Sequence, residues 1–152
     1  MKTRIILPDT EGISEAGAIL RDGGLVAFPT ETVYGLGANA LDAVATKRIY
    51  EAKGRPSDNP MIVHVASIDM LNEVASDVTD EQKAIMSKLW PGPITFVLRK
   101  NPNVPDVTTG GLDTVAVRWP ARREAAEIIE AAGVPIAAPS ANLSGKQSPT
   151  TF

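Results

Sequence analysis

The sequence predicts an α/β fold, a twisted mixed sheet flanked by helices, and three observations carry that prediction. Short apolar runs rich in β-branched residues alternate with stretches of helical periodicity. The composition, 43% hydrophobic and 22% charged over 152 residues, is that of an ordinary globular chain. Prolines interrupt several connections, so a uniform βαβ repeat is not expected and the sheet should be mixed.

Taken in order, "RIIL" (4–7) and "LVAF" (25–28) read as strands. Between them a helix is expected from Ser14, a candidate N-cap, to Arg21, with Gly17 as a weak point inside it. Asp42 is placed to cap a second helix reaching Ala52, whose Ala45, Ile49 and Ala52 share a face. "MIVHVA" (61–66) is a strand, and helices follow near 67–75 and 79–89. The second of these opens on the capping-box pattern Thr79-Asp80-Glu81-Gln82. "ITFVLRK" (94–100) and "TVAVRW" (114–119) are strands. An Ala/Glu-rich helix over 121–132 stops at Gly133, and "PIAA" (135–138) is the last strand.

The net charge of −3 provides no global basic field, so a nucleic-acid partner would need a local patch. Without cysteine there are no disulfides or thiolate metal sites, which fits a reducing compartment. No run of about 18 apolar residues occurs, and the N-terminus lacks the apolar core of a signal peptide. A soluble, cytoplasmic protein with no membrane partner is expected.

"PTETVYGLGANA" (29–40) formally contains the dinucleotide pattern G-x-G-x-x-A, but Pro29 and the Thr30-Glu31-Thr32 loop separate it from its strand. The expectation is a glycine-permitted loop, in which Thr30, Thr32 and Tyr34 offer hydroxyls beside backbone that a ligand can approach. "KGRPSDNP" (53–60) raises a sharper question. A cation at a helix C-terminus before Gly54 is favourable by a few tenths of a kcal/mol, roughly, which accounts for Lys53. Arg55 is different. It precedes a proline and so takes extended geometry, in which residues two apart point the same way. Lys53 and Arg55 can then converge on one phosphate or carboxylate, on a loop stiffened by Pro56 and Pro60 and carrying Ser57, Asp58 and Asn59.

His64 is the lone histidine, a strand residue that reads either as a hydrogen-bonded structural group or as part of a site. Arg118 lies within an apolar strand and must be answered by an acidic partner or a bound anion. "WPGPITFVL" (90–98) is a rigid turn with a buried Trp90. "APSANLSGKQSPT" (138–150) brings Ser140, Asn142, Ser144 and Ser148 past a strand end, where they serve turns or meet phosphate and ribose oxygens. No Ser-His-Asp set, carboxylate pair or metal cluster emerges. Cationic and neutral donors suggest chemistry by positioning and charge stabilisation, as in phosphoryl or nucleotidyl transfer.

In order, "PTETVYGLGANA", "KGRPSDNPMIVHV", "WPGPITFVL", "VAVRWP" and "PIAAPSANLSGKQSPT" resemble the YrdC family of threonylcarbamoyl-AMP synthases over most of residues 14–150. The resemblance implies a YrdC-like fold with a concave, positively charged cavity. It implies a nucleotidyltransferase making threonylcarbamoyl-AMP and pyrophosphate from L-threonine, bicarbonate and ATP, with magnesium accompanying the ATP. The product would feed threonylcarbamoyladenosine formation in tRNA by downstream tRNA-modifying proteins. Lys53 and Arg55 would be the family's K-x-R pair on the ATP phosphates, with Asn59 nearby. Ser140 and Asn142 would be its S-x-N element, with Ser148 and Thr114 also on the nucleotide side. Thr32, His64, Arg118 and the backbone at Ala138 would surround threonine or its carbamate.

Two departures accompany the resemblance. Ala121-Arg122-Arg123 stands where members usually carry a histidine. The family also continues beyond "SPT", so residues 1–152 are expected to form one domain cut short at its C-terminal end. Two other readings share the residues. One is an RNA-binding module without turnover, using Lys47, Arg48, Lys53 and Arg55 on tRNA or double-stranded RNA. The other is a carbamoyl-adenylate domain of a larger carbamoyltransferase.

Overall fold

The computed structural model of the chain describes residues 3–54, 56 and 59–139. Its first helix, α1 (Thr10–Arg21), starts a turn ahead of the expected Ser14. Asp9 is the cap, its carboxylate accepting from the Gly12 amide at 2.8 Å, and Ser14 lies inside the helix. The segment 4–7 is not a strand. Its Ile5 and Leu7 are 72% and 69% exposed, Arg4 pairs with Glu15 of α1, and no described segment offers it a ladder. β-propensity without a pairing edge leaves an extended arm.

Strands β1 (Val26–Pro29) and β2 (Tyr34–Asn39) form an antiparallel hairpin. The expected glycine loop at 35–40 is therefore mostly a strand, and the reason is packing. A Cβ on Gly37 would meet Phe28 Cε1 at 2.6 Å and Ile136 Cγ2 at 2.8 Å. The missing side chain admits neighbours across the sheet rather than a ligand.

Helix α2 (Ala43–Lys53) begins at Asp42, which accepts from the Val44 and Ala45 amides, and ends at Gly54 in the left-handed region with φ +64°. Strand β3 (Ile62–His64), helix α3 (Ile68–Val74) and the unexpected two-residue strand β4 (Ala75–Ser76) follow. Helix α4 (Asp80–Leu89) carries the expected capping box, closed in both directions between Thr79 and Gln82. Strands β5 (Thr95–Lys100) and β6 (Thr114–Arg118), helix α5 (Arg123–Ala132) and strand β7 (Ile136–Ala137) complete the described chain.

The seven strands run in the order β1-β2-β7-β3-β6-β5-β4. β3 and β6 pair parallel and every other described neighbour is antiparallel, so the sheet is mixed as expected. Along β6 the residues alternate. Val115 and Val117 are fully buried on one face beside Val63, while Thr114, Ala116 and Arg118 turn to the other.

α1 packs on α5 through Gly17, where a Cβ would lie 2.6 Å from the Ala131 carbonyl carbon and 2.7 Å from its Cβ. Gly17 is thus the contact point of two helices, and its close approach outweighs the helix-propensity cost. Gly17→Val should lower stability by about 2–3 kcal/mol, read from the denaturant midpoint at unchanged slope.

Candidate functional site

β3 and β6 bring His64 and Arg118 side by side, because the parallel register pairs these two final residues. The sheet face they share is the one on which Thr114 and Ala116 lie. Arg118 is 6% exposed. Its Nε donates to the Gly92 carbonyl at 3.2 Å, Nη1 to the Thr32 hydroxyl at 3.4 Å, and Nη2 to the Glu31 carboxylate. The demand for an acidic partner or an anion is met here by an acid of the chain, Glu31.

Glu31 and Thr32 reach Arg118 from the turn between β1 and β2, which is organised by Thr30. That buried hydroxyl donates to the Val33 carbonyl at 2.6 Å and accepts from the Thr32 and Val33 amides at 3.3 Å. It also lies 3.0 Å from the Thr32 hydroxyl. The other carboxylate oxygen of Glu31 accepts from the Ala121 amide at 2.6 Å, tying the turn to the segment after β6. Gly92 belongs to the rigid turn after Trp90, and its amide donates to the Trp119 carbonyl at 2.8 Å. Trp90 is buried as expected, with Nε1 donating to the Ile94 carbonyl at 2.7 Å.

His64 is 3% exposed, and Phe28 stands edge-on to it with ring centroids 6.4 Å apart. Burial, reinforced by the Arg118 guanidinium, lowers its pKa from 6.5 to about 4, so the imidazole is neutral at pH 7. Its Nδ1 is buried with no hydrogen-bond partner among the described residues. Backbone groups of Ile62 and Ile136 oppose that lowering of the pKa in part.

The remaining expected residues lie on other elements or at the far end of β6. Ala138 follows β7, and its amide donates to the Ile62 carbonyl at 3.0 Å, so the sheet already uses its N–H. Thr114 occupies the opposite end of β6 from Arg118, a separation of about 13 Å along an extended strand. Lys53 closes α2 and is 4% exposed, an unusual depth for a lysine. Nearby, the Tyr50 hydroxyl donates to the carbonyls of Val107 at 2.7 Å and Asn59 at 3.1 Å, joining α2 to the loop that leads into β3. Arg55, Ser140, Asn142 and Ser148 lie outside the described residues. Sequence reasoning missed Glu31; the requirement for a partner to Arg118 was legible, but nothing local identified which carboxylate would supply it.

A mixed sheet, seven strands among the described residues, with a buried imidazole and guanidinium side by side on its parallel strands, defines an α/β domain. Residues 18–152 match the sequence profile of the Sua5/YciO/YrdC family, described as telomere recombination, and the chain belongs to that family. The threonylcarbamoyl-AMP synthase of Pyrococcus abyssi is 60% identical over 136 residues, covering 90% of this chain and 40% of that protein. The synthase of Bacillus subtilis is 54% identical over 140 residues, covering 91% and 40%. The crystal structure of P. abyssi Sua5 complexed with L-threonine superposes with a TM-score of 0.91 at 56% identity, covering 98% of this chain and 43% of the other. The chain thus spans about 40% of the length of these curated relatives. Among the described residues no helix is long and apolar enough to cross a membrane.

Proposed function

We propose that this chain carries the catalytic domain of a threonylcarbamoyl-AMP synthase, a cytoplasmic nucleotidyltransferase that converts L-threonine, bicarbonate and ATP to threonylcarbamoyl-AMP and pyrophosphate. The product would supply the threonylcarbamoyl group for threonylcarbamoyladenosine in tRNA. The observation that carries the reading is the meeting of Thr32, His64 and Arg118 at one end of the sheet, in a chain 60% identical to a protein bearing that name.

In this reading Arg118 and Thr32 take the carboxylate and hydroxyl region of threonine, and the neutral His64 stands beside them without competing for the anion. The backbone at Ala138 would line the same region. Lys53, Arg55 and Asn59, with Thr114, Ser140, Asn142 and Ser148, hold the nucleotide. Threonine's amine condenses with bicarbonate, a C–N bond forming as a C–O bond breaks and water leaves, to give a carbamate whose oxygen attacks the α-phosphorus. The bond from that phosphorus to the bridging oxygen breaks and pyrophosphate leaves; magnesium bound to the ATP would stabilise its charge. Two anions must be held in contact, so cations that screen their repulsion would be the main contribution of the protein, and the reading requires a positively lined cavity to carry them.

The full-length gene product, given threonine, bicarbonate, ATP and magnesium, should release pyrophosphate only when threonine is present. Release that ignores threonine, or none, ends this reading. Lys53→Met, which keeps an apolar stem of similar length, should slow threonine-dependent release by about a hundredfold.

A further inference from the structure

We infer that Glu31 is a positioning residue for threonine recognition, holding the Arg118 guanidinium and the Thr32 hydroxyl in one fixed relation. The inference rests on the synthase reading for its substrate, but its structural basis is independent of it. The Glu31 carboxylate joins two segments that are remote in sequence, gripping one of them at two points. One oxygen accepts from Arg118 at the end of β6, the other accepts from the Ala121 amide beyond it, and the residue itself sits in the turn between β1 and β2. The side chain is 22% exposed, against 8% for Arg118, so the pair is shielded on the guanidinium side and open to water on the carboxylate side.

The arrangement limits what Arg118 has left. A guanidinium carries five N–H donors in a rigid plane. Gly92, Thr32 and Glu31 take three of them, one on each nitrogen. Two remain among the described residues, one on each Nη, and an incoming carboxylate must use these. Gly92 and Glu31, on different nitrogens, fix the tilt of the plane, and Thr32 is carried by the turn that Glu31 anchors. Glu31 also neutralises a cation that would otherwise be buried alone, so Arg118 presents directed donors rather than unscreened charge. Recognition at this end is thereby set by geometry, which favours a ligand with a carboxylate and a hydroxyl at fixed spacing over anions in general.

The test uses Glu31→Ala and Glu31→Gln in the full-length protein, the glutamine keeping an acceptor for the Ala121 amide. Steady-state pyrophosphate release should show KM for threonine raised about tenfold or more in Glu31→Ala, less in Glu31→Gln, with kcat within about threefold and KM for ATP unmoved. A fall in kcat alone at unchanged KM values would mean loss of folded protein and would overturn the inference. A second readout needs no turnover. The Arg118 Nε–H signal in a nitrogen-15 spectrum, assigned by its absence in Arg118→Lys, should be sharp and slow to exchange in the wild type and broadened or lost in Glu31→Ala. Its persistence would equally overturn the inference. Wild-type protein that shows this signal but no threonine-dependent release would refute the synthase reading while leaving the role of Glu31 toward Arg118 in place.

Discussion

Arg118→Ala should abolish threonine-dependent pyrophosphate release for practical purposes, slowing it by about a hundredfold to a thousandfold. The loss has two separable parts. The donors proposed to face the ligand vanish, and so does the tie that Thr32 has to β6. At the same time the Gly92 carbonyl and the Glu31 carboxylate lose their shared partner. Breaking a buried pair by removing one member costs about 3–5 kcal/mol, but the Glu31 side chain is 22% exposed and water can take over part of its solvation. A stability loss of about 2 kcal/mol is therefore expected by denaturant unfolding. Arg118→Lys keeps the charge but cannot bridge Gly92, Thr32 and Glu31 together, so it should recover stability better than activity. Equal recovery of both would mean that charge alone suffices and that the planar fork is unimportant.

Acidification should destabilise the protein through His64 by about 3 kcal/mol, the second large effect. The folded state holds the imidazole neutral with its pKa lowered to about 4, first by burial and then by Arg118, against an ordinary 6.5 in the unfolded chain. Between those values the unfolded state binds the proton and the folded state does not. Stability consequently falls as pH drops from about 6.5 to about 4 and levels off below, at 1.36 kcal/mol for each unit of difference. Carboxylates titrate in part of the same range, so the measurement is a comparison. Urea midpoints of wild type and His64→Gln, taken from pH 7 to pH 4, should diverge by this amount, with the wild type losing more. Parallel curves would mean that His64 is protonated in the folded protein.

Most of the helix framework could be read from local chemistry. Asp42, Thr79, Gly54 and Gly133 each act through atoms one to four residues away, so their caps were legible without any tertiary knowledge. Where position in the sheet decides, the sequence was silent. "YGLGAN" has the composition of a loop, and only the proximity of Phe28 and Ile136 makes it a strand. "RIIL" has the composition of a strand and lacks a ladder. The two-residue strand β4 exists only because β5 runs beside it. The same division runs through the site. That Arg118 required a counter-charge followed from desolvation, whereas the choice of Glu31, 87 residues away in sequence, is set by strand order.

The pairing of β3 with β6 has a consequence for quality control. Side chains on a strand alternate with period two, so a slip of β6 by a single residue would swing its guanidinium into the oily layer around Val63 and leave a valine at the working surface. A misaligned molecule would be both inert and too costly to persist. The residue proposed to meet the ligand would thus also proofread the alignment of the sheet, and chains that fold wrongly would disqualify themselves without an external checkpoint.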